Sequence, residues 1–253
     1  MLSKNKIKLI QSLNRKKNRD ETGLFLAEGN KMVGEVLRSD FTIDTVICTP
    51  EYLKNHPETE KRANEIIVTD SLSIQKASLL QNPQDALALV HHSSNNLSQL
   101  NLQSELCLAL DFIQDPGNLG TILRIADWFG IKSLICSENT VDAYNPKVVQ
   151  ASMGAIFRTK VSYINLEEFL SSASQNQIPV YGTFLEGNNI YNEKLSKNGI
   201  ILMGNEGNGI SDSAGKWVSH KLYIPSFSPD ENQPESLNVA VAAAICCSEF
   251  RRR

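Results

Sequence analysis

The sequence predicts an α/β protein of two domains, on three observations. Stretches of strand character alternate with stretches of helical periodicity along most of the chain. Two strand candidates, residues 106–113 and 200–203, are nearly continuous apolar runs, as expected of strands covered on both faces. Between two such alternating regions lies the polar, turn-forming segment 93–103, which has the composition of an interdomain linker. The expected division is a first α/β domain over residues 1–95, a linker over 96–105 and a second α/β domain over 106–253.

Taken in order, Lys6 to Lys17 predicts a short basic helix with Ile7, Ile10 and Leu13 on one side. Leu24 to Ala27 predicts a strand, broken by Gly29-Asn30. Lys31 to Arg38 then predicts a helix with Met32, Val33, Val36 and Leu37 inward. Strands follow at Thr45 to Cys48, Glu65 to Val68 and Ala86 to Val90, separated by helical stretches at 51–64 and 72–80. Beyond the linker, a buried strand over 106–113 leads through Pro116-Gly117 into a helix from Asn118 to Phe129, which Gly130 ends. Ser133 to Ser137 is a strand, and Pro146 to Phe157 is a helix with proline in its first turn. Strands are expected at 161–164, 180–185, 200–203 and 222–224. A small-residue helix from Val239 to Phe250 completes the series, and the arginines after it suit the negative end of its dipole.

Composition narrows the class. With 253 residues, 41% hydrophobic and 21% charged, the chain can build a globular core. The net charge of −3 gives no global signal for nucleic acid. Charge is nevertheless uneven: seven basic side chains and no acidic one fall between Met1 and Arg19, and Arg251 to Arg253 form a second cluster. Such patches attract phosphate locally even on an acidic protein. The five cysteines form no C-x-x-C pair, and the four histidines show no ligand spacing with them, so no metal is expected. Reduced thiols, no apolar leader and no stretch long enough to span a bilayer together predict a cytoplasmic protein.

Three segments could carry chemistry. The first runs from Asp111 to Arg124. Here a buried strand enters a helix at its carboxyl end, where ligands of open α/β sheets gather, and Asn118 stands where an N-cap belongs. Arg124 lies off the apolar stripe of that helix, close to Trp128, and by itself reads as a solvated surface arginine. The second is the glycine loop Gly204-Asn205-Glu206-Gly207-Asn208-Gly209 after a buried strand. Its spacing is neither a dinucleotide fingerprint nor a P-loop. Glu206 would repel phosphate and suits hydroxyls or amines better. The third runs from Leu222 to Ala240: a strand ends at Pro225, crosses a polar loop and enters the last helix, with Ser236 placed as its N-cap.

In this order the three segments resemble the motifs of the SpoU branch of the SPOUT superfamily, the RNA ribose 2′-O-methyltransferases. Asn118-Leu119-Gly120 with Arg124 is similar to the first motif, and Gly204-Asn205-Glu206-Gly207 with Gly209 to the second. Ile224-Pro225 with Ser236-Leu237-Asn238-Val239-Ala240 is similar to the third. Asp142-x-Tyr144-Asn145-Pro146 and Ala151-Ser152-Met153-Gly154-Ala155 also look like the family. The resemblance covers residues 106–253. The basic first helix followed by Phe25-Leu26-Ala27-Glu28-Gly29 looks like the substrate-binding domain that many of these enzymes carry. One departure is the long acidic loop Ser228 to Glu235, where the family has a shorter connection.

The resemblance implies a C-terminal methyltransferase domain tied in a trefoil knot and a homodimer. It implies S-adenosylmethionine held by Gly204, Ile224 and Leu237, with Thr183, Met203, Gly207 and Pro225 around them. Arg124, Asn118, Glu206, Ser236 and Asn238 become the catalytic set, with no metal. Lys16, Lys17, Arg19, Glu28 and Arg124 become the RNA contacts, and ribosomal RNA is favoured over transfer RNA as substrate. Arg124 would act either as a base assisted by an RNA phosphate, or as a permanent cation orienting that phosphate. Physics favours the second, since a guanidinium keeps its proton. Two other readings stand beside this one: a catalytically silent RNA-binding assembly factor on the same scaffold, and a Rossmann-type nucleotide enzyme. The full catalytic set disfavours the former, and the failed glycine spacings disfavour the latter.

Overall fold

The computed structural model describes residues 2–93, 100–228 and 236–252. Part of the expected linker (94–99) and most of the acidic loop (229–235) therefore lie outside the described residues. The chain divides into two compact units. One comprises Met1–Ser94 together with Asp142–Arg158, the other Asn95–Val141 together with Thr159–Arg253. The first unit is thus not a single stretch of chain: a segment from the middle of the C-terminal region completes it.

In the first unit the order is α1 (Lys4–Ser12), α2 (Lys16–Thr22), β1 (Leu24–Glu28), α3 (Asn30–Leu37), β2 (Ile43–Cys48), α4 (Pro50–Asn55), α5 (Thr59–Arg62), β3 (Ala63–Val68), α6 (Ser71–Ala77) and β4 (Ala86–His91). The sheet order is β1-β4-β2-β3, antiparallel except where β2 meets β3. Alternation along β1 assigns its side chains to two faces. Leu24 and Leu26 pack with Ile10, Leu13, Ile74 and Ala77. Phe25, between them, stacks on Tyr144 with ring centroids 4.5 Å apart and lies against Phe157. Both aromatic partners come from the returning segment. All five residues of β1 are buried as a result.

The expected helix over residues 6–17 is two helices. The carbonyls that α1 leaves unpaired at its end are taken by side chains of α2: Asn18 Nδ2 donates to Ser12 O (2.8 Å) and Arg19 Nη1 to Leu13 O (2.7 Å). Arg19 is only 1% exposed, and its Nη2 also meets Asp142 Oδ2 at 2.5 Å. The expected helix over 51–64 is likewise two, because Pro57 cannot continue α4.

The second unit holds β5 (Leu106–Leu110), α7 (Pro116–Trp128) and β6 (Ser133–Ser137). After the excursion through α8 (Pro146–Ser152) and a 3₁₀ turn (Ala155–Phe157) in the first unit, it resumes with β7 (Lys160–Ile164), α9 (Leu166–Gln175), β8 (Val180–Asn189), β9 (Gly199–Met203), α10 (Asp212–Gly215), β10 (His220–Tyr223) and α11 (Val239–Arg252). The helix expected over 146–157 is interrupted at Met153 and Gly154, both at positive φ; a side chain on Gly154 would strike Glu35 Cγ at 2.5 Å. Helix α9 was missing from the sequence expectation although its signals are present: Asn165 as cap, and Leu166, Leu170 and Ala173 on its buried side.

All six strands of this sheet are parallel, in the order β10-β8-β9-β5-β6-β7. Central strands β5 and β9 are buried throughout, which accounts for their continuous apolar sequences. One face packs Cys107, Ala109, Ile200 and Leu202 against Leu166, Leu170 and Ala173 of α9. α7 and α11 also pack together; their buried residues include Leu119, Ile122 and Leu123, and the short side chains Ala240 and Ala243. The chain leaves β5 towards β6 on one side and returns through β9 on the other, so the strand order reverses between β5 and β9. That is the point where open parallel sheets bind ligands, at the carboxyl ends of the strands. All five cysteines are free and buried. Among the described residues no helix is long and apolar enough to cross a membrane.

Removing the Arg19 guanidinium would strand Asp142 and one helix-end carbonyl. Arg19→Met should therefore lower the stability of the first unit by about 3 kcal/mol in urea unfolding followed by near-ultraviolet circular dichroism. An unchanged midpoint would show that this ion pair does not hold the returning segment.

Candidate active site

The three sequence segments meet at the carboxyl ends of β5 and β9. Asp111 N donates to Met203 O (2.9 Å), carrying the β5–β9 pairing one step past the strands. The Asp111 carboxylate, 7% exposed, accepts Ser211 N at 2.8 Å. Phe112 then turns the chain at φ 62° and donates its N–H to Ser137 Oγ. Helix α7 starts with Pro116 at its first position and Asp115 as its cap, accepting Asn118 N at 2.8 Å. The expectation that Asn118 is the cap is thus corrected. An acidic cap followed by proline is the stronger start signal, and it leaves the Asn118 side chain available.

That side chain bonds at both ends. Asn118 Nδ2 donates to Glu206 Oε1 (2.6 Å), and Asn118 Oδ1 accepts from Asn238 Nδ2 (3.0 Å). One amide therefore connects the first, second and third segments. The expected cap role of Ser236 is corrected in the same way: Asn238 Oδ1 accepts Ala240 N at 3.0 Å and so starts α11, while Ser236 stands exposed just before it.

The glycine loop closes tightly on itself. Asn205 and Gly209 pair through their backbones in both directions (2.8 and 3.0 Å), with Gly209 at φ 69°. A Cβ on Gly204 would lie 2.2 Å from Gly209 C and 2.3 Å from Ile210 N, so only glycine fits. The side chain of Asn205 accepts Gly207 N and Asn208 N and donates to Phe112 O. Sequence reasoning passed over Asn205, Asp111 and Asp115. Asparagine directly before a turn, with its own backbone two and three residues ahead, was the available signal for the first.

Arg124 is not among these bonded groups. It stands six residues along α7 from Asn118, about 9 Å up the axis, on the exposed side with Trp128, which is 85% exposed. Most of the expected donor-binding residues lie at or just beyond the carboxyl ends of β9 and β10, with Thr183 within the neighbouring β8. Met203 and Gly204 end β9, Thr183 of β8 places its hydroxyl 3.5 Å from Leu202 O, and Ile224 and Pro225 follow β10. Leu237 is half exposed beside Asn238, and Gly207 sits in the open part of the loop. These candidates are neutral, with Glu206 as the acidic group beside them. Such a set fits a cationic ligand carried by backbone and apolar contacts, and does not fit a polyphosphate. Among the described residues no cluster of histidine, cysteine and carboxylate could hold a metal.

The residues expected to meet RNA in the first unit divide. Lys16 and Lys17 are exposed. Arg19 is turned inward to Asp142, as described above. Glu28 is 5% exposed; its carboxylate accepts Leu79 N at 3.2 Å and the Ser78 hydroxyl. Burial raises its pKa above the ordinary value of 4.5. Each of these two side chains satisfies internal groups that would otherwise be buried without partners.

Comparison with known proteins matches the chain in two parts. The SpoU rRNA Methylase family matches residues 105–248, and the MRM3-like substrate binding domain matches residues 4–88. The chain is 30% identical over 247 residues to the 23S rRNA (guanosine(2553)-2′-O)-methyltransferase RlmP of Bacillus subtilis, covering 97% of this chain and 96% of that one. A protein of the TrmH family from Porphyromonas gingivalis superposes with a TM-score of 0.89 at 36% identity, over 100% and 99% of the two chains. The AdoMet-bound rRNA methyltransferase from Sinorhizobium meliloti superposes with a TM-score of 0.88 at 30% identity, over 100% and 97%.

Gly204→Ala should open the glycine loop, because the new methyl meets backbone rather than a movable side chain. Titration calorimetry with S-adenosylmethionine should show at least a tenfold loss of affinity, and an unchanged affinity would remove the loop from the binding site. For Glu28 the sign follows from its raised pKa. Stability is full below about pH 4.5 and is lost as pH rises through the folded value. Glu28→Gln keeps both acceptor bonds, so it should flatten that loss while leaving RNA affinity unchanged in filter binding.

Proposed function

Since the chain belongs to the SpoU rRNA methylase family, we propose that it is an enzyme transferring a methyl group from S-adenosylmethionine to a ribose 2′-hydroxyl of ribosomal RNA. The observation that carries this reading is the hydrogen-bonded line Glu206–Asn118–Asn238, which gathers the three motif segments at the strand-order reversal of a parallel sheet. The donor is supported by the AdoMet-bound relative and by the neutral-to-acidic binding candidates. Ribosomal RNA is supported by the Bacillus subtilis relative, matched over nearly the whole of both chains.

S-adenosylmethionine, when bound, supplies a methyl group on a positively charged sulfur. The roles of the protein groups are to hold, orient and stabilise. Gly204, Ile224 and Leu237, with Thr183, Met203, Gly207 and Pro225, hold the donor through backbone and apolar contacts. Glu206 places a negative charge beside it; the Asn118 amide bonds that carboxylate and is itself held by Asn238. Arg124 acts as a permanent cation and does not serve as the base. It binds the phosphate of the target nucleotide and stabilises negative charge as it develops on the 2′-oxygen; the O–CH3 bond forms as the S–CH3 bond breaks, S-adenosylhomocysteine leaves, and the hydroxyl proton passes to water. The Ser236 hydroxyl helps to orient the same nucleotide.

Lys16 and Lys17 give the first unit an exposed basic surface for RNA, joined by Lys4, Lys8 and Arg15. A homodimer is part of this reading. In the second unit Trp128 and Val241 are exposed, and a groove of about 450 Å³ is lined by Phe129, Tyr191, Ala244, Ile245, Ser248 and Glu249. A trefoil knot within residues 106–253 and a cytoplasmic location complete it, supported by family membership and by the free cysteines.

Ribose-methylation mapping of total RNA from a deletion strain tests the reading: one missing 23S mark is expected, and unchanged marks everywhere would leave only the silent assembly factor. Arg124→Ala should reduce methyl transfer at least 10³-fold while S-adenosylmethionine still binds. Arg124→Lys should fail nearly as badly, because a point charge does not reproduce the planar fork. Near-normal turnover in either variant would take Arg124 out of the mechanism.

A further inference from the structure

The glycine loop is fastened to the start of the first motif by two consecutive residues. Ser211 N, at the far end of the loop, bonds to the Asp111 carboxylate, and Asn205 Nδ2, at its near end, bonds to the Phe112 carbonyl (2.8 Å for each). Only the second fastening also reaches the reacting region. Asn205 Nδ2 lies 3.4 Å from Glu206 Oε2, while Asn118 Nδ2 lies 2.6 Å from Glu206 Oε1. The Glu206 carboxylate is therefore held between two amides from different segments. Its own loop would not otherwise restrain it, since Glu206, Gly207 and Asn208 are all exposed.

The two ends of the Asn205 side chain have separable tasks. Its Oδ1 accepts Gly207 N (2.9 Å) and Asn208 N (3.0 Å), which shapes the turn. Its Nδ2 touches nothing of the turn beyond Glu206 and leads across to Phe112, a residue held at φ 62° just before α7. A purely structural asparagine would need only the oxygen.

We propose that Asn205 is a positioning residue for methyl transfer, whose Nδ2 locks Glu206 into register with Asn118 across the two segments. This inference rests on the methyltransferase reading above. It adds that the loop's shape and the alignment of the carboxylate are controlled by different atoms of one side chain. Losing the nitrogen should misplace Glu206 without opening the loop, and a misplacement of about 1 Å can cost 10²-fold in rate.

Asn205→Asp and Asn205→Ser both keep an oxygen for the turn and remove the amide nitrogen, the first with an added charge and the second without. Asn205→Ala removes both. Each is measured for S-adenosylmethionine affinity by calorimetry, and for single-turnover methyl transfer to 23S RNA from the deletion strain at saturating donor. The expected result is donor affinity within threefold of the parent for N205D and N205S, with transfer slowed about 10²-fold in both, and loss of both properties in N205A. Transfer within threefold of the parent in N205S would overturn the proposal. So would donor affinity or folding lost in N205D and N205S to the same degree as in N205A, which would make the residue structural only. A parent enzyme that binds the donor yet methylates no RNA would instead refute the functional reading, so the two failures are distinguishable.

Discussion

A primary amide donates at one atom and accepts at another, and Asn118 uses both across three segments that are far apart in sequence. Its nitrogen takes Glu206 and its oxygen takes Asn238. Neither a carboxylate nor an ammonium could do this, since the first only accepts and the second only donates. The same polarity then runs onward: Asn238 turns its oxygen to cap α11. The whole line has one consistent direction of donation, which fixes the orientation of every amide in it.

This arrangement depends on choices made in the supporting structure. If Asn118 capped α7, its side chain would be folded onto the first turn of its own helix instead of reaching across to Glu206 and Asn238. Asp115 takes that task, with Pro116 in the next position where no N–H is needed. Behind the amides, β5 and β9 are buried on both faces, and their pairing brings Asp111 and the glycine loop to the same end of the sheet. Gly204 lets the loop return against its own start at a distance no side chain allows. The polar centre is thus built on a rigid, apolar base, and its precision follows from that base.

Much of this could be read from the residues themselves. The apolar runs identified the central strands. The glycines and Glu206 marked the loop. What could not be read was the use of each polar atom. Ser236 and Asn238 are both good cap residues two positions apart, and local chemistry does not choose between them; the choice is made by Asn118 arriving from another part of the chain. The inward use of Arg19 could not be read either, because local pattern carries no knowledge of a partner such as Asp142, 123 residues away. The split of the first helix had the same origin, since it depends on Arg19 folding back onto Leu13. Pro57 and the pattern of α9 were legible and simply carried less weight than they deserved.

The return of Asp142–Arg158 into the first unit has a consequence for how such a protein can be recombined. The backbone passes between the two units three times, so no single junction separates them. A substrate-recognition region grafted from a relative at residue 94 would meet a foreign Tyr144 and Phe157 against its own counterpart of Phe25, and a foreign carboxylate opposite its counterpart of Arg19. Exchange of specificity between such enzymes therefore requires two coordinated replacements, one of them inside the methyltransferase sequence. The hydrophobic match between β1 and that short insert acts as a compatibility tag, and it constrains which recognition regions and which catalytic regions can be inherited together.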